Sequence, residues 1–203
     1  MIAKDIYTKE AISYHFIESE TNKEYRTLKE DITASGFTIK AVIIDGRRGL
    51  FRMFEPFPIQ MCHFHQKAII TRYLTHNPKT KPAKELKRIV SHLSSISECR
   101  FTLLLSSWHK RHHEFLGEKT HDQERKHWHY THRRLRSAYR SLKSHLPYLF
   151  TYQKYPQLHI QNTTNSLDGG VFSPMKMLLK IHRGMSIEMK KKLIVDYLEN
   201  GVK

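Results

Sequence analysis

Asp45 stands directly after the apolar run Ala41, Val42, Ile43 and Ile44, with Gly46 behind it. A carboxylate at the carboxyl end of a buried parallel strand can hold a cation in the crevice that opens there. Asp-Gly is also a common turn dipeptide, and in isolation the pair reads as a turn. Further on, Cys62, His63 and His65 place three ligand-type side chains in four positions. A closed structural zinc site needs four ligands at suitable spacing, and Cys99, the only other cysteine, has no CxxC partner. On a strand, Cys62 would share a face with the residue two further on; on a helical turn, Cys62 and His65 share one.

Asn162, Thr163, Thr164, Asn165, Ser166, Leu167 and Asp168 form a polar run ahead of a helical segment with Met175, Leu178 and Leu179. A lone carboxylate there is ordinarily a cap or a partner of the helix dipole. Trp128 lies in a stretch that mixes rings with cations and includes Arg133, Arg134 and Arg136. Such a mixture can stack an unpaired base and neutralise phosphate. The alternative is a tryptophan packed in a helical core beneath a solvated basic face, and both readings stand at this point.

The elements that must position these groups follow from pattern. Residues 12–17 are β-branched and aromatic, as a strand requires. Thr21 and Glu24 have capping-box spacing for a helix that Ser35 and Gly36 close. Residues 37–44 form a second strand whose apolar end suits a buried parallel position, residues 50–54 a short helix, and residues 58–62 a third strand. This alternation indicates an α/β layer. From about 66 to 150 the spacing is helical throughout: Leu86, Ile89, Val90 and Leu93 recur at i, i+3, i+4 and i+7, as do Leu135, Ala138, Tyr139 and Leu142. Residues 77–82 form a loop, Pro147 and Pro156 bracket a looser segment, and the last helix begins near Ser186.

Composition limits the partners. The chain has 35 Lys and Arg against 19 Asp and Glu, a net charge of +16, which points to a polyanion. No one-sided basic helix or lipidation signal supports a membrane surface, and no apolar run could span a bilayer. The N-terminal residues do not read as a signal peptide, and two cysteines imply no disulfide framework, so a cytoplasmic, nucleoid-associated protein is expected.

Taken in order, Asp45 and Gly46 after an apolar strand, the Cys62-x-x-His65 motif, a long helical stretch and the run from Asn162 to Asp168 resemble the catalytic region of Mutator-like bacterial insertion-sequence transposases. The run His182, Arg183, Gly184, Met185 and Ser186 also resembles that family's tail. The resemblance implies a ribonuclease-H-like α/β core interrupted by an all-helical insertion: residues 1–65 as a partial core, 66–160 as the insertion, and 161–203 as the part of the core with the third acid. It also implies Asp45 and Asp168 as catalytic, metal-binding acids for two Mg2+ or Mn2+ ions, with Cys62 and His65 beside the active site. DNA would be held by Trp128, Arg133, Arg134, Arg136, Lys176 and Arg183, with Trp128 matching an aromatic that holds a flipped base. The partners would be transposon ends, target DNA and further copies of the chain.

One family feature is missing. The first acid belongs on a strand ahead of residues 12–17, and neither Asp5, in a turn, nor Asp31, in a helix, can take its place. The expectation is an N-terminally truncated transposase, inactive by itself. The competing readings are a non-catalytic basic nucleic-acid-binding protein and a structural zinc protein using Cys62, His63 and His65.

Overall fold

The computed structural model describes residues 1–122 and 127–200. Its elements, in chain order, are β1 (Ile2–Lys4), β2 (Ala11–Tyr14), α1 (Asn22–Ala34), β3 (Val42–Ile44), α2 (Arg48–Met53), β4 (Ile59–Met61), α3 (His63–Leu74), α4 (Lys81–Ser91), α5 (Glu98–Arg111), α6 (His113–Gly117), β5 (Lys119–Asp122), β6 (His127–Tyr130), α7 (Arg133–Leu149), α8 (Thr151–Lys154), α9 (Asn165–Leu167), α10 (Ser173–Ile181) and α11 (Ile187–Asn200). The fold is mixed α/β, mostly helical, with three two-stranded sheets among the described residues. Two compact units divide the chain. The first comprises Met1–Val42, Arg47–Pro58 and Thr163–Lys203; the second comprises Ile43–Gly46 and Ile59–Asn162.

In the first unit β1 and β2 form an antiparallel hairpin with Ile2 opposite Tyr14. Asp5 shapes its turn: the carboxylate accepts from the amides of Tyr7 (2.6 Å) and Thr8 (2.8 Å), the local bonding that makes Asp a turn residue. Helix α1 starts as its sequence predicts, with the Thr21 hydroxyl accepting from the Glu24 amide, and ends at Gly36, whose φ of 83° is left-handed. His15 and Asp31 join the end of β2 to α1 at 2.6 Å. Lys29 reaches the Met53 carbonyl at 3.3 Å and lies over the rings of Phe54 and Phe57, fixing α1 to the end of α2. The buried apolar side chains of this unit are few: Leu28, Leu50, Phe54, Val171 and Leu198.

The second unit has the larger core. Leu86, Leu93, Phe101, Trp108, Ala138, Leu142, Leu149 and Phe150 are fully buried, as the i, i+3, i+4, i+7 spacing of α4 and α7 requires. Trp108 also donates its indole N–H to the Pro82 carbonyl at 2.9 Å.

Several expectations are corrected. The strand expected over 37–44 shortens to β3, because β4 offers only three residues to pair with and Phe37 lies exposed. Helix α7 runs through Pro147, which sits in its last turn where the missing N–H removes only one bond. The stretch from 66 to 150 is not all-helical: β5 and β6 form an antiparallel hairpin within it, with Lys119 opposite Tyr130 and His121 opposite Trp128. Alternating Trp and Tyr with His in β6 is a pleated-strand pattern, which the surrounding helical periodicity concealed.

Candidate functional site

β3 and β4 pair in one sheet. The Val42 amide donates to the Pro58 carbonyl at 3.0 Å and the Cys62 amide to the Ile44 carbonyl at 2.8 Å. The bonds advance in the same sense along both strands, the pattern of a parallel pair. Asp45 and Cys62 are therefore the residues at which the two chains leave the sheet, side by side at its carboxyl ends. Asp45 is exposed and Cys62 is fully buried. Behind Asp45 the chain turns on Gly46, at a φ of 97°; a Cβ there would lie 2.5 Å from the Met61 Cε. Left-handed backbone and close approach both require glycine.

Helix α3 opens at once after β4, which settles the face on which the Cys62-x-x-His65 motif lies. Cys62 occupies the cap position, its carbonyl accepts from the Gln66 amide at 3.0 Å, and half-buried His65 follows one turn along. The His63 amide donates to the Asn162 carbonyl at 2.8 Å, which ties residue 162 to the first turn of α3.

His63 itself cannot ligate zinc. Its Nε2 lies 2.6 Å from the Leu149 carbonyl and its Nδ1 lies 3.1 Å from the Ser94 hydroxyl. A carbonyl only accepts, so Nε2 carries the proton and Nδ1 accepts from Ser94, whose oxygen in turn accepts from Lys67 at 3.1 Å. No ring lone pair is left for a metal. Burial lowers the His63 pKa, the bond to Leu149 opposes this, and Lys67 lowers it further. Buried Gln60, Gln66 and Thr151, with half-buried His145, complete a polar cluster around the end of α7. The Gln60 side chain donates to the Leu149 carbonyl at 3.0 Å and accepts from the Tyr152 amide at 3.0 Å, while His145 donates to Gln66 at 2.6 Å. The sequence signal for this cluster, polar residues in an otherwise apolar strand and helix, was present at Gln60 and Gln66.

Asp168 belongs to the first unit. It is half-buried; its carboxylate accepts from the Thr164 hydroxyl at 2.9 Å and its amide donates to the Thr164 carbonyl at 3.0 Å. From Asp168 to Phe172 the helix widens to π spacing, with the Ser173 amide bonded to the Asp168 carbonyl. Helix α10 then starts at Ser173, with Pro174 in its first turn, where a missing N–H costs least. The widening lets the chain pass Pro174, which has no N–H and would press on the carbonyl four residues back. Lys4, on β1, reaches the Ser166 carbonyl at 3.3 Å and so stands at this helix entrance. Its pKa is lowered by burial and by Lys9. Lys176 and Arg183 are exposed.

In the second unit Trp128 is 65% exposed on β6, its ring 4.6 Å from that of His121 across the hairpin. It is not part of a helical core, a role that Trp108 fills. Arg136 stacks its guanidinium 3.5 Å from the Tyr130 ring and donates to the Leu116 carbonyl at 2.6 Å. His132 stacks on Phe115 and meets Glu118 at 2.8 Å, securing the root of the hairpin. Arg134 donates to the Arg72 carbonyl at 2.7 Å, and Arg133 is exposed.

Asp45, Cys62, His65, Trp128, Arg133, Arg134 and Arg136 thus fall in the second unit, and Asp168, Lys176 and Arg183 in the first. Among the described residues no group of three or more His, Cys, Asp or Glu side chains is arranged to hold a metal ion, and no helix is long and apolar enough to cross a membrane. Comparison with protein-family models, with curated proteins and with solved structures finds no match to this chain.

Proposed function

We propose that this chain is the catalytic region of a DNA strand-transfer enzyme of the Mutator-like insertion-sequence type, acting at the nucleoid in an assembly of more than one copy. In this reading its core is ribonuclease-H-like, interrupted by the second unit. The observation that carries the reading is Asp45: an exposed carboxylate at the carboxyl end of a parallel pair, beside the Cys62-x-x-His65 motif that opens α3. Asp45 and Asp168 are hard oxygen donors of the kind Mg2+ or Mn2+ takes. Such ions, when bound, would activate a water or a 3′-hydroxyl and stabilise the leaving oxygen of an in-line phosphoryl displacement. The donor set is short of the three carboxylates that the resemblance requires, so the chain by itself holds metal weakly and does not cut.

Mn2+ titration followed by electron paramagnetic resonance tests this. The intact chain is expected to show a weak site that Asp45→Asn removes while the fold is retained. A free-Mn2+ signal undiminished by the intact chain would leave only the nucleic-acid-binding reading. That second reading, a nucleic-acid-binding protein without chemistry, is favoured by Trp128, which presents an exposed ring beside His121 on the hairpin and needs no metal to stack a base.

A further inference from the structure

Within the first unit, α1 and α2 border an open groove of about 1190 Å3. One face of α1 supplies Asn22, Arg26, Lys29, Glu30, Thr33 and Ala34, spaced as consecutive turns require; α2 supplies Arg48, Gly49, Arg52 and Met53. The helices can approach because residue 49 has no side chain: a Cβ there would lie 2.2 Å from the Asn22 amide oxygen.

The charges in this groove are unbalanced. Lys29 is committed to the Met53 carbonyl and to two rings. Arg47, next to the groove, is held by Glu20 at 3.8 Å and lies over Tyr25. Arg26, Arg48 and Arg52 instead make no ion pair and no side-chain hydrogen bond among the described residues, although Glu30 lies in the same groove. Three guanidiniums without a carboxylate partner are fork-shaped donors suited to an anion, and the oxygens of a phosphate match that fork.

The lining also selects the form of the phosphate ligand. No aromatic ring borders the groove, so unpaired bases have nothing to stack on. The lining is mixed rather than predominantly apolar, as an ordinary small-molecule site would be, and the volume exceeds that of such a site. We propose that the groove between α1 and α2 binds the phosphodiester backbone of duplex DNA, at a place separate from the Trp128 hairpin. The assignment rests on the DNA-dependent function proposed above and adds the duplex-binding surface of the first unit.

The test is fluorescence anisotropy of a labelled random-sequence duplex with the full chain across a salt series. Each phosphate contact contributes about 0.9 to the slope of log affinity against log salt, so R26Q/R48Q/R52Q is expected to reduce the slope by roughly 2 to 3 and affinity by about tenfold or more. A control removing equal charge from exposed lysines, K40Q/K180Q/K192Q, is expected to change the slope by less than about 1. E30Q is expected to tighten binding, a sign that damage to the fold cannot produce. Equal slope changes in the groove and control triples, with duplex binding intact, would overturn the groove assignment and leave the DNA reading standing. Loss of binding to anionic lipid vesicles with unchanged duplex binding would overturn it as well. If the intact chain fails to bind duplex at all, the proposed function falls together with the groove.

Discussion

The Nε2 atom of His63 lies 2.6 Å from the carbonyl oxygen of Leu149, joining the first turn of α3 to the last turn of α7. The bond exists only in the tautomer with its proton on Nε2, and the Lys67–Ser94 pair on the other side of the ring holds that tautomer. A second proton, on Nδ1, would face Ser94 and the Lys67 ammonium.

Stability of the second unit is therefore expected to fall on acidification. His63 has its pKa lowered from 6.5 by burial first, and His109 is lowered by burial and then by Lys143, His113 and Arg136. Below 6.5 the unfolded chain binds protons that the folded chain refuses, so unfolding is favoured as pH drops from 6.5 toward the folded pKa values. Urea midpoints measured from about pH 7.5 to about pH 5.5 should decline, and His63→Gln, which cannot titrate, should flatten the decline. A midpoint that rises on acidification would contradict this.

Gly46→Ala is expected to be among the more damaging substitutions in the chain. The left-handed φ costs about 1–2 kcal/mol for a residue with a Cβ, and the clash with buried Met61 adds an overpacking cost of about 1–3 kcal/mol. Gly36→Ala has the same backbone problem at a φ of 83° but nothing within 4 Å of the new atom. Thermal unfolding of the two variants should separate the terms, with Gly46→Ala the less stable.

The two tryptophans should respond oppositely. Trp108 is fully buried and hydrogen-bonded, so Trp108→Ala should cost about 3–5 kcal/mol of stability. Trp128→Ala should leave the unfolding midpoint nearly unchanged and weaken binding of a single-stranded oligonucleotide by about 1–3 kcal/mol. Unchanged oligonucleotide binding would remove Trp128 from the interface.

The arginines at the start of α7 should divide in the same way. Arg136 is spent on Tyr130 and the Leu116 carbonyl, and its Nε is buried with no hydrogen-bond partner among the described residues. Arg136→Gln should lower stability and raise protease sensitivity of the hairpin. Arg133→Gln should leave stability alone and reduce the salt slope of DNA binding by about 1 or less.

What the sequence made legible was local. The Thr21–Glu24 cap, the glycine stops at 36 and 46, and the helical faces of α4 and α7 each depend on residues a turn apart, and the structure has them. What it hid depended on distant partners. The strand at 37–44 shortened because its neighbour is short. The β5–β6 hairpin was masked by flanking helical periodicity. Of the candidate site, the helical setting of Cys62 and His65 was a stated alternative, but Lys4 beside Ser166 and the unpaired arginines between α1 and α2 came from pairing across the chain, which one-dimensional spacing does not encode.

The π-spaced stretch from Asp168 to Phe172 absorbs one residue more than the α-helix around it. Asp168 therefore keeps nearly the bearing, relative to Leu178 and Leu179, that an α-helix one residue shorter would give it. Removing either Gly169 or Gly170 would close the wide turn to α spacing and leave that bearing almost unchanged, whereas the same deletion in α-spaced helix would swing the carboxylate by about 100°. The wide turn is slack in the winding, and it lets this segment lose a residue without turning its acid away.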